Sequence, residues 1–288
     1  MSSEHEHAGF GADWRLMQSR FEERRRLLGS LLGGGAAVLL GACGGSSGGD
    51  AVSDSSTSST TSTTGASTAC IADPSETNGP YPSDGTNTVN GAVSNVLLES
   101  GVVRSDIRSS FGASTTVASG VPLTLTITLE NTNNSCGPLS GYAIYVWHCD
   151  RDGEYSLYGA DILNENYLRG VQVTDSGGSV TFASIFPACY SGRYPHIHVE
   201  VYESLSTATG GNNALLITQL AMPRDIATTI YDTATGYAAS VNNLAAVTTG
   251  SDLVFESSTT AQLTAQTPAF SGSISDGYVA TVTAGLGA

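Results

Sequence analysis

In Val121-Pro122-Leu123-Thr124-Leu125-Thr126-Ile127-Thr128-Leu129, apolar and hydroxyl-bearing side chains alternate from Leu123 onward. Successive side chains of a strand point to opposite faces, so this period places Leu123, Leu125, Ile127 and Leu129 on one apolar face. Strand-like runs recur at Tyr142–Trp147, Ser179–Phe182, Ile197–Tyr202, Leu215–Leu220, Asp252–Phe255 and Tyr278–Val282. Turn clusters such as Asp175-Ser176-Gly177-Gly178 separate them. Helical periodicity is almost absent, and no repeat period appears. Many short strands with frequent turns predict an all-β fold, a β-sandwich over residues 70–288, with helix confined to short turns.

The charge balance narrows the function. The 288 residues include 26 acidic and 11 basic side chains, every basic one an arginine, for a net charge of −15. A nucleic-acid partner needs a basic face to displace counterions, and this chain has none to offer. With no lysine, a Schiff base or lysine nucleophile is excluded as well. Apolar residues make up 40%, enough for one substantial core. Outside the first 43 residues no apolar run approaches the ~18 needed for a span, so no mature transmembrane helix is expected.

The front of the chain reads as an address rather than as part of the fold. Arg24-Arg25-Arg26-Leu27-Leu28 opens an apolar stretch that ends Leu40-Gly41-Ala42-Cys43. That ending resembles a bacterial lipobox, and the paired arginines resemble a twin-arginine export signal. Residues 1–42 are therefore expected to be a signal peptide, with Cys43 lipidated and holding the protein at the outer side of a membrane. An ordinary signal peptide with a chance cysteine is the plainer reading. Residues 44–69 are almost entirely Gly, Ser, Thr and Ala, the composition of a flexible tether. The expected location is extracytoplasmic, on the bacterial cell envelope or secreted.

Past the tether lie Cys70, Cys136, Cys149 and Cys189. An even count in an exported chain predicts two disulfides, with three possible connectivities. A strand over Gly141–His148 would set Cys136 and Cys149 at opposite ends, roughly 30 Å or more apart at ~3.3 Å per residue, which disfavours that pair. The other choices stay open.

The chemistry concentrates in Pro187-Ala188-Cys189-Tyr190-Ser191-Gly192-Arg193-Tyr194-Pro195-His196-Ile197-His198. On a strand, His196 and His198 share a face and can reach one metal ion while Ile197 turns to the core. Paired edge histidines make the same pattern. Past Cys43 the chain has only three histidines, two of them are here, and Tyr190 and Arg193 precede them at short range.

This block, with Trp147-His148-Cys149-Asp150-Arg151-Asp152-Gly153-Glu154-Tyr155-Ser156, resembles the two signature blocks of the intradiol ring-cleavage dioxygenases. Leu168-Arg169-Gly170 and Asp175-x-x-Gly178 fall between the blocks, as in that family. Gln219 matches the glutamine on the strand after the histidines. Upstream, Pro74-Ser75-Glu76-Thr77-Asn78-Gly79-Pro80-Tyr81 and Arg104-Ser105-Asp106-Ile107-Arg108 resemble its earlier segments, so the likeness spans about 70 to 282. The exported branch, similar to protocatechuate 3,4-dioxygenase β-like and catechol dioxygenase-like proteins, fits best. The helical dimerisation region of the soluble catechol 1,2-dioxygenases is missing, and the spacing from Tyr190 to Arg193 is short.

The resemblance implies a non-haem Fe(III) site held by Tyr155, Tyr190, His196 and His198. Ferric iron is a hard acid that favours anionic oxygen donors, which suits tyrosinate. A catechol-type substrate would be cleaved with O2 between its two hydroxyl-bearing carbons to a cis,cis-muconate-type diacid. Tyr190 would take a substrate proton, Arg193 would stabilise developing negative charge, and Gln219 would hydrogen-bond in the same pocket. His148 is expected to be structural. Tyr81 and Trp147 either line the pocket or pack, and Tyr158 and Tyr194 are candidate pocket walls. Two other functions compete. A zinc hydrolase built on His-x-His lacks a third histidine or nearby carboxylate motif, and an anchored sandwich that binds catechols or a protein without turnover would have no need of a complete ligand set.

Overall fold

The computed structural model describes residues 70–288, so the expected signal peptide, lipid anchor at Cys43 and tether lie outside the described residues. In chain order the elements are β1 (Asp84–Val89), β2 (Ala92–Asn95), β3 (Pro122–Asn131), β4 (Gly137–Pro138), β5 (Ala143–Trp147), β6 (Arg169–Val173), β7 (Ser179–Ile185) and β8 (His196–Tyr202). There follow β9 (Leu216–Ala221), helices α1 (Arg224–Thr233), α2 (Ala238–Ala246) and α3 (Thr260–Ala265), then β10 (Ala269–Ser273) and β11 (Gly277–Leu286). One sheet runs β10-β11-β3-β4, with β7 also paired to β3, and a second runs β6-β5-β8-β9. β1 and β2 form a separate hairpin whose Asn90-Gly91 turn has φ of 51° and 82°, as a two-residue hairpin loop requires.

The expected all-β sandwich is borne out. Leu123, Leu125, Ile127 and Leu129 of β3 are buried among Val180, Phe182, Ala280 and Val282 of their own sheet. Against them, across the sandwich, come Ile144, Val146, Ile197, Val199 and Val201 of the second sheet. Each such side chain, fully buried, contributes about 1.5–3 kcal/mol of transfer free energy.

What positions the site is the other face of the second sheet. Every residue of β5 and β8 is buried, on both faces. Tyr145, Trp147 and Tyr202 turn away from the inter-sheet core and pack under Val96, Leu97, Cys149 and Tyr155. His196, His198 and Glu200 alternate with the core residues of β8, so they lie on the same outer face as Tyr202. Loops thus cover a strand face that carries polar side chains. The segment from Cys70 to Ser83 forms part of this cover. Its Asp73 N–H donates to Gly285 O at 2.9 Å and its Glu76 N–H to Ile217 O at 2.7 Å.

Three expectations need correction. Asp252–Phe255 is not a strand, because the Asp252 carboxylate accepts from the Val254 and Phe255 N–H groups and turns the chain into a 3-10 segment at Phe255–Ser257. Helix is not confined to short turns, since α1 and α2 run 10 and 9 residues. Ala227, Ile230 and Tyr231 form the buried stripe of α1, and Arg224 donates to the last carbonyls of α2, Leu244 and Val247. Finally, there is one disulfide among the described residues, Cys70–Cys136, and Cys149 and Cys189 are free and buried. Cys149 belongs to the outer layer and Cys189 to the inter-sheet core, so the two thiols serve opposite faces.

Candidate metal centre

β8 delivers His196 and His198 to one face, their Nε2 atoms 3.1 Å apart. The loop after β5 brings Tyr155, whose Oη lies 3.2 Å from His196 Nε2. The loop before β8 brings Tyr190, with its Oη 3.3 Å from the same nitrogen and 3.5 Å from Tyr155 Oη. Donors bound at about 2.0–2.1 Å to one ion, 90–120° apart, stand roughly 2.9–3.6 Å from each other. The cluster has that spacing.

The protonation pattern agrees. His196 Nδ1 is 2.6 Å from Tyr194 O, which places a proton on Nδ1 and leaves the Nε2 lone pair facing the cluster. Burial, then the Arg193 charge, holds His196 far below the usual histidine range, and burial, then His196 itself, does the same to His198. Two neutral imidazoles thus face each other at close range, an arrangement a cation between them relieves. Burial also pushes Tyr190 up to about 12 and Tyr155 well above the usual phenol range. A bound cation reverses that preference and favours phenolate. Two imidazoles and two phenols fit a hard trivalent ion.

His198 is fixed from two sides. Trp147, its cross-strand partner, stacks on the ring, with centroids 4.5 Å apart and planes within 7°. Gly79, at φ +72°, lies so close that a Cβ there would be 3.3 Å from His198 Cε1. Trp147 is therefore a packing residue. Tyr81 covers Tyr155, the two rings 4.9 Å apart, and is half-buried like Tyr190, so the open side of the cluster lies beside these two.

Arg193 is buried and aimed at the cluster. Its Nε donates to Asp252 Oδ2 at 2.9 Å, one terminal nitrogen to Gln219 Oε1 at 2.6 Å, and the other lies 3.4 Å from His196 Nε2. Burial opposes its charge, but Tyr190 and Asp252 outweigh that and raise its pKa. Gln219, opposite His198 on β9, also donates to Thr77 O and so ties the covering segment to the arginine. Sequence reasoning missed Asp252, which it placed in a strand-like run. His148 faces elsewhere, toward Ser184 Oγ and Cys149 O. Tyr158 abuts Tyr81, whereas Tyr194 packs on Phe255 and is no pocket wall.

An intradiol ring-cleavage dioxygenase from Tetranychus urticae has a similar fold, with a TM-score of 0.56 and 23% identity over 75% of this chain and 95% of that one. A family model described as "Dioxygenase" matches residues 112–256, a span that holds Tyr155, Tyr190, Arg193, His196, His198 and Gln219. The chain belongs to the intradiol ring-cleavage dioxygenase family. A second crystal structure, described as that of a dioxygenase, gives a TM-score of 0.54 at 24% identity, over 75% of this chain and 94% of that one. A chlorocatechol 1,2-dioxygenase from Rhodococcus opacus is 33% identical over 102 residues, 29% of this chain and 37% of that protein, so the match spans little more than a third of the relative.

Proposed function

We propose that this family member is an Fe(III) intradiol dioxygenase that opens a catechol-type ring between its two hydroxyl-bearing carbons with O2, giving a cis,cis-muconate-type diacid. The observation that carries the reading is that His198 Nε2, Tyr155 Oη and Tyr190 Oη all lie 3.1–3.3 Å from His196 Nε2, with the two phenol oxygens 3.5 Å apart. Tyr155, Tyr190, His196 and His198 would hold the ion. Bound Fe(III) supplies a Lewis acid for both substrate oxygens and the electronic coupling that opens the ring to O2.

The chain's own residues do the rest. Tyr155 is buried and Tyr190 half-buried, so Tyr190 is the phenol that an incoming catechol meets. Its Oη is therefore the oxygen placed to take a substrate proton. Arg193, held by Asp252 and Gln219, presents a fixed positive charge where the ring gains electron density. Tyr81 and Gly79 pack over Tyr155 and His198.

The Cys70–Cys136 disulfide supports an oxidising compartment, in line with export and anchoring through Cys43. Among the described residues no helix is long and apolar enough to cross a membrane. The test is direct: protein loaded with Fe(III) should be red from tyrosinate charge transfer and should form muconate from catechol under O2. Colourless, inactive protein with a full iron complement would refute the reading.

A further inference from the structure

We propose that Arg169 is a positioning residue for this centre, fixing from behind both the Tyr155 phenol and the Tyr81 ring that covers it. The inference rests on Tyr155 being a ligand. Arg169 opens β6 opposite Trp147 and is fully buried. A guanidinium has five N–H donors, and all five are used here. Nε donates to Ser156 Oγ at 3.0 Å. One terminal nitrogen donates to Pro82 O at 3.0 Å and Tyr145 Oη at 3.2 Å, and the other to Tyr81 O at 3.0 Å and Ser156 O at 2.9 Å. No carboxylate among the described residues forms an ion pair with it.

A buried charge without a counter-ion is costly, and for packing alone an apolar side chain serves better. The acceptors show what the charge is used for. Three of the five bonds go to Tyr81 O and to the two oxygens of Ser156, the residue after Tyr155. One rigid planar fork therefore joins the backbone beneath the phenol to the backbone beneath its cover, with rings 4.9 Å apart. Its face also lies 5.4 Å from the Tyr158 ring, which packs against Tyr81 from the side. Lysine keeps the charge but cannot fill this fork.

The experiment compares full-length Arg169→Lys, Ser156→Ala and Tyr155→Phe with the parent protein. Arg224→Lys, which perturbs the bonds to the end of α2 and none made to the four ligands, is the control for stability alone. Iron content, the tyrosinate-to-iron absorption maximum, melting temperature, kcat and KM are read for each. Arg169→Lys should retain iron, shift the absorption maximum and lower kcat about tenfold to a hundredfold, as misplacement of a reacting group does. Ser156→Ala should shift the maximum in the same direction by less. Arg224→Lys should lower the melting temperature and leave the maximum native. A folded Arg169→Lys with native absorption and kcat overturns the proposal, and if that variant does not fold, a native Ser156→Ala overturns it. If Tyr155→Phe keeps the parent's colour and rate, the ligand reading falls and this proposal with it.

Discussion

Trp147 and His198 face each other across the β5–β8 pair with rings 4.5 Å apart and nearly parallel, and the Trp147 N–H has no partner in its buried setting. The indole is thus a flat support for one imidazole of the proposed centre. The chain has two tryptophans, Trp14 and Trp147. Iron bound by His198 should quench Trp147 emission strongly; any residual tryptophan signal comes from Trp14, in protein that retains residues 1–42. Fluorescence titration of the parent against Trp147→Phe measures this, and equal quenching in both would place the iron elsewhere.

Removing ligands should separate their roles. His198→Ala should lose iron, because metal affinity falls by more than the ~10–100-fold typical of losing a supporting hydrogen bond. Tyr155→Phe should weaken the red colour and abolish most turnover. Tyr190→Phe should keep part of the iron, move the absorption maximum and lower kcat about a hundredfold, since the proton acceptor is gone. Metal analysis alongside single-turnover kinetics distinguishes the three.

Asp252 holds Arg193 through a buried ion pair at 2.9 Å and also accepts the Tyr194 N–H at 2.7 Å. Asp252→Asn leaves the guanidinium buried without its anion, a loss of about 3–5 kcal/mol in stability. Iron binding should survive while kcat drops, because Arg193 no longer points at the cluster. Denaturant unfolding and steady-state kinetics on the same preparation check both halves.

Two buried carboxyls predict a pH dependence. Burial pushes Asp73 up to about 7 and Glu76 up to about 8, against ordinary values near 4. A carboxyl whose folded pKa is raised stabilises the fold fully below its unfolded pKa and loses that contribution as pH rises through the folded value. Their share of stability should therefore decline between about pH 4 and pH 8. Glu76→Gln, which keeps an acceptor for Gln266 Nε2, should flatten the decline measured by thermal unfolding across that window.

The Cys70–Cys136 disulfide closes a loop with a sequence separation of 66 and fastens the start of the covering segment. Cys136→Ser should cost up to about 4 kcal/mol on a chain-entropy account. Cys149 and Cys189 should react with a thiol reagent only after unfolding, because both are buried. Thiol counting before and after denaturation reads this directly.

Alternation is a property of the chain itself, so the sequence by itself determined that Val121–Leu129 is a strand with one apolar face and that His196 and His198 share a side. It also offered the candidate donors, the His-x-His pair through its spacing and Tyr155 and Tyr190 through the family resemblance. Tertiary structure decided the rest. The polar face of β8 reads as solvent-exposed by period alone, yet the segment from residue 70 through the β1–β2 hairpin to residue 98 and the loop over 149–167 bury it. Nothing local to Arg193 names Asp252 as its partner, 59 residues on, and nothing local to Arg169 names Tyr81 and Ser156. Helices α1 and α2 carry narrow apolar stripes that only packing against the sandwich makes decisive. Of the cysteine pairings left open, the one formed joins Cys70, ahead of β1, to Cys136 in the turn between β3 and β4. Periodicity reports which way a side chain points; only the meeting of distant segments fixes what it meets there.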